Sequence, residues 1–246
     1  MDLTHAMLIA ALGWFLGGFV NGVAGFGAAL VAMPIAALNN DMALAVSSCA
    51  LVVFALNIQM TWSYRRYLEY TGIGPLFSGG IPGAVCGVLL LRHAPESALK
   101  CGLGFLLVLY ALWGLWAAPA GGRNPGPFWA ILTGFLSTSL GTAFGVNGPP
   151  LAVYLSLRGG SQQAIKAALG AFFLVSGALI IISHCVAGLH TFRTFVLFVF
   201  ALPAVMLGCW AGMRVSGNLS DRSFRRSLFL MLLFMGFHMI WTALKT

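Results

Sequence analysis

The stretch GFVNGVAGFGAALVAMP, residues 18–34, lies inside an apolar run from about Ala6 to about Leu38. As one helix this run would reach roughly 50 Å at ~1.5 Å per residue, whereas a bilayer core takes only about 20 residues. Gly18, Asn21, Gly22, Gly25, Gly27 and Pro34 crowd its middle. Within a helix each Gly costs about 1 kcal/mol relative to Ala, and Pro about 3. A single continuous helix is therefore disfavoured, and the run is expected to break or turn back. The second half repeats the pattern in another over-long run, 127–157. There SLGTAFGVNGPPLAVY (139–154) carries Gly141, Gly145, Gly148, Pro149 and Pro150.

The rest of the composition agrees with a membrane setting. Of 246 residues, 60% are hydrophobic and 7% charged, against about 25% charged in ordinary soluble domains. Eight apolar segments can be drawn, near 6–38, 43–63, 72–91, 99–118, 127–157, 164–187, 194–213 and 226–244. This predicts an all-α polytopic membrane protein, with the first segment of each half broken or re-entrant. The start, MDLTHAML, has no Lys or Arg before its first apolar run, so that run is expected to be structure and not a cleaved signal. The net charge of +8 comes from residues almost all in loops, which fits topology control and not nucleic-acid binding. The five cysteines (Cys49, Cys86, Cys101, Cys185, Cys209) lie in apolar segments without a C-x-x-C pair. They read as packing residues, and no metal, cofactor or catalytic residue is expected.

The halves align. Gly18-Phe19 matches Gly134-Phe135, and at the same offset of 116 Gly25 falls on Gly141 and Pro34 on Pro150. GIPGAVCGVLL (80–90) matches FALPAVMLGCW (200–210) at an offset of 121, and Trp116 matches Trp241 at 125. The expected organisation is a first membrane repeat over 1–118, a linker over 119–126 and a second repeat over 127–246. Duplicated units with interrupted helices at corresponding positions are a mark of secondary transporters, and the interruptions point to the binding site.

Chemistry follows from the breaks. A helix that restarts inside the membrane offers free N–H groups and the positive end of its dipole, which can hold a small anion without Lys or Arg. The candidate substrate-binding residues are Asn21, Gly22, Gly25, Gly27, Pro34, Ser47, Ser48, Ser137, Thr138, Gly141, Thr142, Asn147, Gly148, Pro150 and Lys166. Lys166 either faces the site or snorkels to the interface. Asn57 and Gln59 are costly in lipid and should face protein or water. His184 and His238 are candidate proton carriers, with packing as the blander role. The five acidic residues (Asp2, Asp41, Glu69, Glu96, Asp221) all lie at termini or in loops. Coupling through a membrane carboxylate is therefore not expected, and a cationic substrate would find no partner.

GFVNGVAGFGAALVAMPIAAL, the following ALAVSS, RRYLEYTGIGPLFSGGIPGAVCGVLLL and the later GFLSTSLGTAFGVNGPPLAVYL together resemble the sulfite exporter TauE/SafE family, also called the toluenesulfonate uptake permease family. The resemblance covers nearly the whole chain. It implies transport of small sulfur-containing or organic anions such as sulfite, sulfoacetate or other sulfonates. It also implies about eight spans from an internal duplication, in a bacterial inner membrane. The chain has Ser47-Ser48 where the family often has Thr-Ser, and Pro149-Pro150 where it usually has one Pro.

Topology depends on the two long segments. If all eight cross once, Lys and Arg split five to eight between the two sides and the repeats are parallel. If segments one and five enter and return, the split is nine to four and the repeats are inverted. The counts lean towards the second arrangement. Either way the termini face the periplasm and the Arg222–Arg226 cluster the cytoplasm.

Three functions compete: a carrier of small anions working by alternating access, a passive anion channel, and a membrane-embedded enzyme or redox protein. The last lacks clustered ligands or a helical His pair at spacing three or four. The expected partners are a small anionic substrate and the lipid bilayer, with no nucleic acid. A homodimer is compatible with the sequence, though no feature establishes it.

Overall fold

The computed structural model describes residues 3–68, 74–116, 122, 125–216 and 221–245, with side chains described outside 3–9, 39 and 221–225. The expected linker falls largely outside these residues, as does Arg123; the side chains of Arg222 and Arg225 are likewise outside. Among the described residues every regular element is helical. The helices are α1 (Leu3–Ala24), α2 (Ala28–Asn39), α3 (Met42–Tyr64), α4 (Gly74–His93), α5 (Glu96–Trp116), α6 (Pro127–Phe144), α7 (Gly148–Arg158), α8 (Gln162–Val186), α9 (Phe192–Val215) and α10 (Asp221–Ala243). A 3-10 turn, Arg65–Tyr67, follows α3. Six of these helices, α3, α4, α5, α8, α9 and α10, are long and apolar enough to cross a bilayer. Each over-long apolar segment resolves into two helices, α1–α2 and α6–α7.

The helices pack through glycine. Lipid tails are as apolar as the helix faces, so association relies on close van der Waals contact and small residues let backbones approach. On α1, Gly18 and Gly22 lie against the backbone of Val205 and Cys209 in α9, while Gly208 and Gly212 of α9 lie against Phe15 and Phe19. On α4, Gly79, Gly83 and Gly87 face Ile131, Phe135 and Ser139 of α6, and Gly134 faces Leu76. Ser139 Oγ donates to Gly83 O at 3.0 Å across the same seam. Gly104 and Gly236 bring α5 and α10 together in the same way. The pair α3–α8 stands between α9 and α4. The helices thus exchange partners between the halves: α1 packs on α9 and α6 on α4.

α2 doubles back along α1. Ala28 sits against Gly17 and Ile35 against Gly13, a proximity that an in-line continuation forbids. A groove between α6 and α7 is lined from Gly126 to Leu136 on one helix and from Pro150 to Leu157 on the other, so α7 also lies beside its partner. This geometry predicts that Asn40→Cys will be labelled from the same membrane face as Thr4→Cys at the start of α1, read with an impermeant thiol reagent. Labelling from the opposite face would mean that α1 and α2 cross in line.

The perimeter is apolar. Trp116 is 83% exposed and Phe192 83%, and Trp62, Trp129, Trp210 and Trp241 are also exposed near helix ends. Water would not tolerate such a surface, and the aromatic positions suit the two membrane interfaces. Arg65 stacks over Trp62 at 3.6 Å and Arg214 over Trp210 at 3.8 Å, cations held where the belt meets water.

Candidate functional site

The site begins with two turns. Gly25 and Gly27 have φ of 87° and 107°, and Gly145 has 72°, left-handed values that glycine alone reaches without strain. These residues end α1 and α6 and let the chain reverse. The two turns correspond at an offset of 120, since Gly25 and Gly145, and likewise the helix starts Ala28 and Gly148, lie 120 residues apart. The expected matches Gly25–Gly141 and Pro34–Pro150 are corrected accordingly. Gly141 lies inside α6, Pro34 inside α2, and Pro150 in the first turn of α7. Residue identity had suggested the offset of 116, whereas the left-handed turn fixes the geometric one.

The turns touch. Gly148 lies against the Phe26 ring, and Gly145 against Met33 and Cys49. At the C-terminal ends the carbonyls find donors. Gly25 N donates to Asn21 O at 2.7 Å, Gly145 N to Gly141 O at 3.0 Å and Val146 N to Leu140 O at 3.4 Å. The N-terminal ends differ. Neither N-cap, Gly27 nor Asn147, makes a side-chain capping bond. The first ladder bond of α2 is Val31 N to Gly27 O, so the amides of Ala28, Ala29 and Leu30 lie outside the helix ladder. In α7 Pro149 and Pro150 have no N–H to give, which leaves the Gly148 amide and the Asn147 side chain to do that work.

Both N-terminal ends open on one small cavity of ≈ 10 Å³, lined by Asn21, Gly27, Ala28, Asn57, Asn147 and Gly148 among others. A second cavity of ≈ 10 Å³ shares Val53, Asn57 and Asn147 with it and adds Gly141 and Gly145. Each has room for about one water-sized molecule. Asn21 is 3% exposed, and its side chain lies beside the Cys209 thiol of α9. Asn57 Nδ2 donates to Phe173 O at 3.4 Å, tying α3 to α8 beside the cavity. None of the lining side chains is charged.

Of the residues singled out in the sequence, Asn21, Gly27, Gly141, Asn147 and Gly148 line these cavities. The others have different surroundings. Gly22 is pressed on α9. Ser47 shares a hydrogen bond with Thr194 of α9 at 3.3 Å, and Ser48 donates to Ala45 O at 3.0 Å. Ser137 and Thr138 are fully buried in α6 with unpartnered hydroxyls, and Thr142 donates to Thr138 O at 2.8 Å. Pro150 lines the groove between α6 and α7. Lys166 is 5% exposed and sits beside Gly25, with its ammonium donating to Ser216 Oγ at 3.1 Å and 3.5 Å from Gly22 O. It therefore holds the carbonyl end of α1, where the helix dipole is negative.

Two features needed the fold to be seen. Asn57 had a signal in the sequence, its cost in lipid, but no sign that it faced the turns. His184, in α8, and His190, in the loop that follows it, lie six apart in sequence, and their rings stand 5.9 Å apart. His184 is fully buried with Nε2 3.0 Å from Thr142 O, which can only accept, so that nitrogen carries the proton.

A bundle of apolar helices with a lipid-suited perimeter and two doubled-back helix pairs meeting at their turns defines a multi-pass helical membrane protein. The chain belongs to the sulfite exporter TauE/SafE family, whose model matches residues 10–239. That family implies a membrane transporter of sulfur-containing anions. No curated protein and no solved structure matches the chain.

Proposed function

We propose that this protein is a secondary carrier that binds a small sulfur-containing anion between the turns at 25–27 and 145–147 and moves it by alternating access across a bacterial inner membrane. The observation that carries the reading is the convergence of two helix N-terminal ends and the buried amides of Asn21, Asn57 and Asn147 on one cavity free of charged side chains. Such ends supply N–H donors and partial positive charge to an anion. The small size of the cavities favours a carrier over an open pore, because a guest enters only if the turns part. The exchange of partners, α1 on α9 and α6 on α4, supports two repeats of inverted sense that move against each other.

The test is a screen in proteoliposomes with sulfite, thiosulfate, sulfoacetate and taurine, each with and without a pH gradient. Saturable uptake of at least one is expected. Single-channel currents would turn the reading to a pore, and no flux of any of the four would remove sulfur anions as cargo.

A further inference from the structure

Resting on the anion-carrier reading, we infer that His184 is a proton-binding site, loaded through His190, and that a proton taken up there accompanies the anion across the membrane. The argument starts from a correspondence between the two hairpins. Gly22 and Thr142 are equivalent at the offset of 120, and the carbonyl of each, near the end of α1 or α6, faces a nitrogen from α8. Lys166 Nζ lies 3.5 Å from Gly22 O, and His184 Nε2 donates to Thr142 O at 3.0 Å. Both carbonyl ends carry partial negative charge, which favours a cation. One hairpin thus has a permanent ammonium against it. The other has a ring that becomes a cation only when it takes a second proton.

The second proton has a place to go. His184 is fully buried, and its Nδ1 has no hydrogen-bond partner among the described residues. Since Nε2 holds the hydrogen shared with Thr142 O, Nδ1 is the basic nitrogen. His190 is half-buried in the loop after α8, with its ring 5.9 Å from that of His184. α9 runs beside α1 in the same sense, with Val205 against Gly18 and Cys209 against Gly22, so this loop lies at the face where α1 begins. By the distribution of Lys and Arg that face is periplasmic. A proton from water there reaches a ring nitrogen of His190. Rotation of that ring, or one water between the rings, hands it to Nδ1. Partial burial pushes the His190 ring below the ordinary histidine range, with the Ile181 carbonyl opposing, so it passes protons on and does not store them.

His190 is the titratable group whose charge bears on His184. On the elements packed against this stretch of α8, α6 has no titratable side chain, and α3 brings Cys49, whose thiol donates to Gly145 O, with Asp41 exposed before its first turn. Cys86, Arg92 and His93 of α4, Arg193 of α9 and Cys185 of α8 itself are all exposed. Lys166, with Tyr64 and the Arg65–Tyr67 turn beside it, lies about 27 Å away along α8, and Tyr154 and Arg158 of α7 lie towards that end. The link to the guest is geometric. Gly141, next to Thr142, lines one of the small cavities, as does Ile180, one turn before His184. A positive charge there is costly unless an anion pairs with it. Proton and anion therefore bind together more readily than either alone, and the coupling is reciprocal. The proton leaves to water admitted as the turns part.

Thiosulfate and sulfoacetate keep their charge between pH 6 and 8, so a proton that travels with them is bound by the protein. Two quantities are read for each anion in proteoliposomes of the full chain. The first is counterflow of labelled anion at equal pH, which needs a carrier but no net proton movement. The second is net uptake from an acidic exterior, with external alkalinisation followed by a pH-sensitive dye. Wild type is expected to show both, with alkalinisation that depends on the anion. His184→Gln keeps an amide donor for Thr142 O but takes no proton. It is expected to retain counterflow and to lose pH-driven uptake and alkalinisation at least tenfold. His190→Gln is expected to slow pH-driven uptake severalfold and to retain counterflow. Should His184→Gln not assemble, the same split in His190→Gln decides. Undiminished alkalinisation in the variants, or wild-type uptake without proton movement, overturns the inference and leaves the carrier in place. Equal loss of counterflow and pH-driven uptake in the variants makes the rings structural and overturns it as well. No counterflow of either anion in wild type overturns the carrier reading and this inference with it.

Discussion

Asn147→Leu should lower transport at least tenfold while the protein still inserts and purifies as a single species. Asn147 caps α7, lines both small cavities, and is mostly buried between the turns. Leucine has similar volume, so the helices around it keep their contacts. What changes is chemical: an amide that can donate to a guest is replaced by a methyl-tipped side chain, in a place where the neighbouring prolines offer no backbone N–H. Loss of a hydrogen bond to a charged partner costs about 1.5–3 kcal/mol, or roughly ten- to a hundredfold in affinity. Uptake into proteoliposomes, with size-exclusion behaviour as the control for folding, checks this. Wild-type uptake by the variant would mean that the guest passes without touching α7.

The second large effect is structural. Gly134→Leu should abolish recovery of folded protein, because the Cβ alone lands on the backbone carbonyl of Leu76 in α4. Overpacking a well-filled contact costs up to about 3 kcal/mol when side chains can move aside; here the obstacle is backbone, so the α4–α6 seam has to open. Gly74→Ala is the matched control, since a Cβ there meets nothing within 4 Å. Membrane yield and thermal unfolding in detergent separate the two. Equal yields would show that the seam is loose enough to give way.

These two predictions mark where the sequence was and was not readable. The excess length of 6–38 and 127–157 and their glycines announced that neither run would be one helix, because length and helix propensity are local properties. The same local reasoning could not place the turns. Gly25 and Gly145 become equivalent through their left-handed backbone, while the pairing of Gly25 with Gly141 and Pro34 with Pro150 rested on letters alone. It also could not separate glycines that turn the chain from glycines that pack it. Gly22 looks like a site residue in sequence and is a contact with α9 in space. Lys166 illustrates the same limit: its charge reads as a lure for anions, yet its ammonium lies at the end of α1 and on Ser216. Asn57 was beyond reach because its partner comes from another helix, and the His184–His190 pair because the loop after α8 sets the second ring beside the first.

Ser137, Thr138 and Ser176 lie outside the space between the turns. Their hydroxyls are buried and without partners among the described residues. Cavities of ≈ 10 Å³ hold about one water-sized molecule, so a larger guest requires movement of α2 or α7.

The most direct test of the site locates an anion in it. Bromate is a pyramidal monoanion whose bromine scatters anomalously, and crystals of the protein grown with it would show where a guest of this class rests. The account predicts a single strong peak between the turns, with oxygens about 3 Å from the amides of Asn21 and Asn147 and from the first amides of α2 and α7. A peak at Lys166 and Ser216, or in the groove between α6 and α7, with nothing between the turns, would contradict it.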